Sequence, residues 1–335
     1  YSAGQFKVNP DATAEDMIKK LPGVTVGRDG TVTAMGEQVR KVTVDGKEFF
    51  GDDATAALKN LPASVIDKIQ VFDRLSDQAQ LTGFDDGNSV KTVNIVTKSG
   101  IKNGQFGRIY AGGGTDSRYA AGGNVSFFKG DRRLSLVANF NNINQQNFAS
   151  QDLLGATSSS GGGGRGGGRG GMGGGSDNFN VGQSSGISKT NALGINFSNV
   201  YAKKLTLTGS YFFNNSHNTN ESVTNTETFD DTKNRFSLQK STSVNDNTNH
   251  RLNLRLEYKI DSSNSLFIIP NVSFQKSRST SFSSQNIYEG LADSISNLVT
   301  PKSTSDRNGY NIRNNIMFRH SFPKRGRTLS FGFNT

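Results

Sequence analysis

Arg251-Leu252-Asn253-Leu254-Arg255-Leu256-Glu257-Tyr258-Lys259-Ile260 alternates polar and apolar residues without a break. In an extended strand successive side chains point to opposite faces. One face of this stretch therefore carries Leu252, Leu254, Leu256, Tyr258 and Ile260, and the other carries Arg251, Asn253, Arg255, Glu257 and Lys259. The same grammar recurs through residues 105 to 335. Leu134, Leu136, Ala138 and Phe140 share a face. So do Leu193, Ile195 and Phe197, then Leu205, Leu207, Tyr211 and Phe213. Leu266, Ile268, Val272 and Phe274 follow, then Ile312, Ile316 and Phe318, and finally Leu329, Phe331 and Phe333.

Alternation alone fits a soluble sandwich as well as a barrel, so the connections decide. They alternate short and long. Lys129–Arg132, Ala202–Lys204, Asp261–Asn264 and Pro323–Gly326 are short, whereas Ser150–Ser188, about 217–247 and about 281–307 are long. Tight turns on one side and long loops on the other are the rhythm of an outer-membrane barrel. The reading is a partial, antiparallel membrane β-barrel of about nine strands. The turn near Thr115-Asp116-Ser117 is external and the one at Lys129-Gly130-Asp131 periplasmic. Bacterial single-chain barrels close with an even strand number, and an open edge in lipid leaves backbone groups unpaired. The barrel is therefore expected to continue past Thr335. No signal peptide is visible at Tyr1.

Composition agrees with strands that are greasy on one face only. Apolar residues make up 33% of the 335, Gly is abundant at 39, and the formal charge of +10 is spread along the chain. The absence of cysteine excludes a disulfide framework, a thiol nucleophile and a Cys-ligated metal. His217, His250 and His320 stand far apart, so no metal site is expected. No apolar run is long enough for a spanning helix. Neither a Gly-x-Ser-x-Gly elbow nor a phosphate-binding Gly-x-x-x-x-Gly-Lys-Ser/Thr loop occurs, so the reading is a protein without enzymatic activity or cofactor.

Residues 1 to about 100 read differently, as a small α/β unit. Met17, Ile18 and Leu21 stripe a short helix over Ala12–Leu21, with Asp11 or Thr13 as N-cap and Pro22-Gly23 as its stop. Asp29-Gly30 signals a hairpin between Val24/Val26 and Val32. A strand over Val39–Val44 turns at Asp45-Gly46, and a helix over Ala54–Leu61 closes at Pro62. Val65–Phe72 is a buried strand or strand-helix, and Val90–Thr97 a strand.

The wording "AEDMIKKLPGVTV", "DGTVTAMGEQVRKVTVDGK", "ALKNLPASVIDKIQVFD" and "GNSVKTVNIVTKSG" resembles, in order and spacing, the plug of TonB-dependent outer-membrane receptors. The resemblance covers about residues 10 to 100 and is nearest to a branch common in Bacteroidetes-type bacteria. Two departures stand out. Gln38-Val39-Arg40-Lys41 replaces the family's Ile-Arg-Gly, and Asp73-Arg74-Leu75-Ser76 replaces Lys-Gly-Pro. The resemblance implies a plug domain over 1–103 and barrel strands over 104–335. It also implies an outer-membrane location, surrounding lipid, and a small ligand bound from outside. A periplasmic energising protein of the TonB type would pull on the plug, and a surface lipoprotein is a further partner. Ferric chelates, oligosaccharides, peptides and vitamins all fit as ligand. An outer-membrane scaffold or adhesin, and a glycine-rich nucleic-acid binder, are the rival readings.

Several motifs have a functional and a plain reading. "GGGGRGGGRGGMGGGS" over Gly161–Ser176 has Arg165 and Arg169 but no aromatic residue for base stacking. It reads as a disordered external loop at about 150–188, and no nucleic-acid partner is expected. Thr82–Asn88, with Asp85 and Asp86, lacks the closing Glu of a calcium loop and reads as a tight turn. Asp52-Asp53 reads as an N-cap for the helix at Ala54. Arg251, Arg255, Arg313 and Arg319 lie opposite the apolar faces. They are the candidate ligand-binding residues, with pairing to carboxylates such as Glu257 as the plain alternative. Tyr201, Tyr258 and Phe322 sit near the short turns, where an interfacial aromatic girdle would lie.

Overall fold

The computed structural model describes residues 1–27, 31–51, 54–98, 103–145, 186–229, 235–289, 295–324 and 327–335. The Asp29-Gly30 turn, Asp52-Asp53 and the glycine-rich run with Arg165 and Arg169 fall outside these residues.

The first hundred residues build two small sheets with short helices. Helix α1 (Ala14–Ile18) starts at Thr13 in a capping box. Thr13 Oγ1 accepts from Asp16 N–H, and Asp16 Oδ2 accepts from Thr13 N–H at 2.9 Å. Each such bond satisfies a donor that the first helical turn leaves orphaned. Strands β1 (Val24–Val26), β2 (Val32–Ala34) and β3 (Glu37–Gln38) form one sheet. The second has the order β5-β4-β7-β6, from β4 (Lys41–Val44), β5 (Lys47–Glu48), β6 (Ile66–Leu75) and β7 (Ser89–Thr97). The β4–β5 turn places Asp45 and Gly46 at φ +48° and +77°, the positive-φ pair that a two-residue hairpin demands. Helices α2 (Ala54–Lys59) and α3 (Asp77–Thr82) complete the unit. Ile18, Leu58, Leu61, Ile66, Ile69, Val93 and Ile95 are sealed in its core.

Among the described residues from Asn103 onward, nine strands form one antiparallel meander, ordered β16 to β8 without a crossover. They are β8 (Asn103–Gly113), β9 (Tyr119–Lys129), β10 (Arg132–Asn141), β11 (Ile187–Tyr201), β12 (Leu205–Thr228), β13 (Arg235–Lys259), β14 (Asn264–Glu289), β15 (Ile295–Ser321) and β16 (Thr328–Asn334). The sheet curves round the small domain, which it touches from one end of the meander to the other. Arg108 on β8 donates to Asp11 O at 2.9 Å, and α3 packs on β15 and β16.

The polarity of this sheet is inverted relative to a soluble core. Its buried, inward side chains are mostly polar, among them Ser126, Ser135, Asn139, Asn196, Ser198, Ser210, Asn249 and Gln275, with Phe128, Val137, Ala192, Phe212 and Met317 between them. Leu136, Phe140, Leu193, Ile195, Leu252, Val272, Phe274, Phe331 and Phe333 point the other way and are exposed. On β12 the outward apolar band runs from Leu205 to Phe213. Eight residue steps make about 26 Å of strand, or about 20 Å of height at a tilt near 40°. Aromatic groups mark both edges. Tyr201 and Tyr258 lie beside the short turns, while Phe213, His250, Phe274 and Tyr310 form one cross-strand row at the far edge.

Two expected long loops are largely strand. β12 and β13 stay paired out to Thr228 and Arg235, and β14 and β15 out to Tyr288 and Ile295. Both faces of these extensions are mostly Ser, Thr, Asn and charged residues, with Val223, Phe236 and Phe282 scattered among them, so hydropathy does not alternate there. Backbone pairing continues nonetheless, helped by cross-strand hydroxyl bonds such as Ser222 to Ser241 at 2.7 Å.

Candidate functional site

Beside the Arg108–Asp11 bond, the packing of α3 and a Lys47 Nζ–Asp131 Oδ1 ion pair at 3.2 Å, three further contacts join the inward wall to the small domain among the described residues. The first clamps the Val44-Asp45-Gly46 turn. Arg133, an inward residue of β10, donates from Nη1 to Val44 O and from Nη2 to Asp45 Oδ2, both at 2.8 Å. Asp45 also accepts from Thr97 N–H and Thr97 Oγ1, each at 2.8 Å. One carboxylate thus ties the turn, the end of β7 and the wall together.

The second contact is a hydrophobic knuckle. Phe50 is fully buried although its φ is +62°, a conformation that L side chains rarely adopt. Its N–H donates to Asn196 Oδ1 at 3.1 Å, and its ring lies 5.1 Å from that of Phe212 on β12. Close approach depends on glycine in the wall. A Cβ on Gly194 would stand 2.8 Å from the Phe212 ring and 3.5 Å from Phe50.

The third is a buried ion cluster. Arg255 Nη1 reaches Asp77 Oδ1 at 2.7 Å and Glu48 Oε1 at 3.5 Å, and Arg255 Nε reaches Glu257 Oε1 at 2.6 Å. Lys41 adds a bond to Glu48 at 3.1 Å, and Arg74 lies 4.0 Å from Glu48 and 3.9 Å from Asp77. Three cations thus face three carboxylates across the junction. Burial pushes the Glu48 carboxyl up, but Lys41, Arg255 and Arg74 outweigh it and hold the group below its ordinary value. Asp77 is likewise raised by burial and lowered further by Arg255, Lys41 and Arg74. Both therefore stay ionised at neutral pH.

The four candidate arginines part company. Arg255 belongs to the ion cluster beside Glu257, as the plain reading had it. Arg251 lies over the Phe212 ring, 5.6 Å from its centroid. Arg313 is exposed on the inward side of β15, and neither it nor Arg319 forms an ion pair among the described residues. Thr82–Asn88 is a tight turn: Gly87 N–H donates to Asp85 Oδ1 at 2.9 Å and Asn88 N–H to Asp86 Oδ1 at 3.0 Å. The sequence reading missed Arg133, Asp45 and Phe50. Only Asp45 carried a local signal, its turn; the other two stand out only by what they meet across the junction.

No protein-family model and no curated protein matches the chain. Solved structures do. The FrpB iron transporter from Neisseria meningitidis is 8% identical over 97% of this chain and 59% of its own, with a TM-score of 0.27. The siderophore receptor PirA from Acinetobacter baumannii is 12% identical over 97% and 59%, at 0.30. The alcaligin outer membrane receptor FauA from Bordetella pertussis is 11% identical over 93% and 58%, at 0.27. The neighbours are transporters and receptors. The chain spans about three-fifths of the length of each.

Proposed function

We propose that the chain forms the plug and the adjoining wall of a TonB-dependent-type receptor or transporter of the bacterial outer membrane. Residues 1–103 act as the stopper, and 104–335 supply strands of the barrel. The single supporting observation is the inverted polarity of the nine-stranded sheet: exposed leucines and phenylalanines outside, buried asparagines and serines inside against the small domain. Lipid is the medium that suits the outer face, and a lumen that suits the inner one. A wide barrel is an open pore unless something fills it, and the three junction contacts seat the small domain there. On this reading a ligand arrives from the side of the strand extensions. A periplasmic protein then draws on the plug, against the contacts made by Asp45, Phe50 and Glu48. Arg251 and Arg313, on the extension side of Arg255, are the residues proposed to meet the ligand, whereas Arg319 lies opposite Ser265 at the short-turn end.

Gradient fractionation and bilayer conductance test this reading. The whole protein should sediment with the outer membrane, and it should conduct little in a planar bilayer until residues 1–97 are deleted. Recovery in the soluble fraction, or equal conductance with and without the plug, contradicts it.

A further inference from the structure

The short turns of the nine-stranded sheet gather cations of one sign. In the first, Lys129 stands directly opposite Arg132 in the β9–β10 ladder, on the outward face just beyond the Phe127/Leu134 pair. The second holds Lys203 and Lys204. One step past the Leu205/Tyr258 pair, Lys259 N–H donates to Lys204 O at 2.8 Å, so a lysine of the third turn stands across from one of the second. The fourth is closed by Arg327 N–H, which donates to Lys324 O at 3.1 Å, and the sequence over 322–327 has no carboxylate. These cations are all exposed, and no hydrogen bond or ion pair holds their side chains among the described residues. The two acids within the turns are committed elsewhere. Asp131 reaches Lys47 of the small domain at 3.2 Å, and Asp261 accepts from the N–H groups of Ser263 and Asn264, each at 2.7 Å. On the outward face of the strand extensions, by contrast, cations meet acids. Arg278 lies 2.7 Å from Asp306, and His217 lies 2.6 Å from Asp246.

We infer that this basic rim docks on anionic phospholipid headgroups of the periplasmic leaflet. The inference rests on the membrane reading and adds a partner to it. Like charges directly opposite each other destabilise a strand pair. Lys129/Arg132 and Lys204/Lys259 therefore call for an anion that the described residues do not supply. The depth suits a phosphodiester. Tyr201 and Tyr258 lie beside the same turns and mark the edge of the apolar band, which is where headgroups begin. Lys129 and Arg132 point outward in line with Phe127 and Leu134, so they meet the leaflet and not the lumen. Successive short turns are two strands apart, or about 10 Å along the rim, so each turn can meet a headgroup of its own. A lysine or arginine within a Debye length of an anionic lipid surface is drawn to it. A zwitterionic headgroup carries its own ammonium, which cancels that attraction.

Spin-labelled lipids around the whole protein, reconstituted in phosphatidylcholine bilayers, test the rim. Labelled phosphatidylglycerol should associate about fivefold more strongly than labelled phosphatidylcholine, the ratio that about 1 kcal/mol of attraction gives. Salt at about 1 M should abolish the difference. Lys129→Gln with Arg132→Gln should lose most of the preference. Lys240→Gln with Lys302→Gln removes the same charge from the strand extensions and should keep it. In pure phosphatidylcholine the rim variant should melt at or above the wild type, because its repulsion is gone. A lower melting temperature there means that an acid of the chain already holds the pair, and it overturns the docking. Equal association of the two lipids overturns it as well, and leaves the rim to an acidic protein surface. So does an undiminished preference in the rim variant, or an equal loss in the extension variant. A protein that never enters the bilayer fails the membrane reading itself, whereas one that enters without lipid preference fails only this inference.

Discussion

Arg255 shows how much one side chain holds at the junction. Its side chain is 7% exposed, and its guanidinium is shared among Glu48, Asp77 and Glu257. Removing one partner of a buried ion pair strands the others without compensation. Arg255→Ala should loosen the seated plug by about 3 kcal/mol, read as faster hydrogen exchange over β4–β6 or a lower melting temperature. Acid should act on the same cluster. Glu48 and Asp77 have folded-state pKa values below their ordinary 4.5 and 3.8. A carboxyl depressed in this way contributes its stability above the unfolded value and loses it as pH falls through the folded one. Plug protection should therefore be flat through neutral pH and fall only below about pH 4, in a titration followed by hydrogen exchange. At the knuckle, Gly194→Ala should cost about 1–3 kcal/mol of seating, because the new methyl meets Phe212 at 2.8 Å. A melting curve unchanged by that substitution would show the wall yields there more easily than its packing indicates.

At the scale of elements, the strands were legible wherever one face was apolar. Leu134–Phe140, Leu193–Phe197, Leu205–Phe213 and Leu252–Ile260 all lie outward as their alternation implies. The extensions of β12–β15 were not legible, since Ser, Thr and Asn occupy both faces and hydrogen-bonded pairing leaves no mark on hydropathy. The helix at Ala12–Leu21 shrank to Ala14–Ile18, its last residues entering the turn before Gly23 at φ +74°. The junction was the least legible part. Arg133 and Phe50 look ordinary in sequence, and their roles come from residues far along the chain, Asn196 and Phe212 in the case of Phe50. Strand orientation makes a direct test. Leu207 faces outward and its neighbour Thr206 faces inward, opposite Glu257. Leu207→Arg, about a quarter of the way into the band, should cost about 1–2 kcal/mol and impair assembly, whereas Thr206→Arg should assemble normally. Heat-modifiable gel mobility distinguishes the two.

For the whole molecule, the account rests on a single sheet with water on its concave side and hydrocarbon on its convex side. The small domain gives the concave side something polar to hold, and the aromatic rows at Tyr201/Tyr258 and Phe213/His250/Phe274/Tyr310 set the limits of the convex band. The 335 residues contain no cysteine, so nitroxide labels can be placed one at a time on an otherwise thiol-free chain. The most direct measurement is a label scan along β14 from Leu266 to Phe274, leaving Pro270 in place, in reconstituted bilayers. Collisions with oxygen, which concentrates in lipid, should peak at 266, 268, 272 and 274. Collisions with a water-soluble nickel chelate should peak at 271 and 273, out of phase with oxygen. If neither reagent reaches the even positions, those side chains are packed in a dry protein core, and the membrane account is wrong.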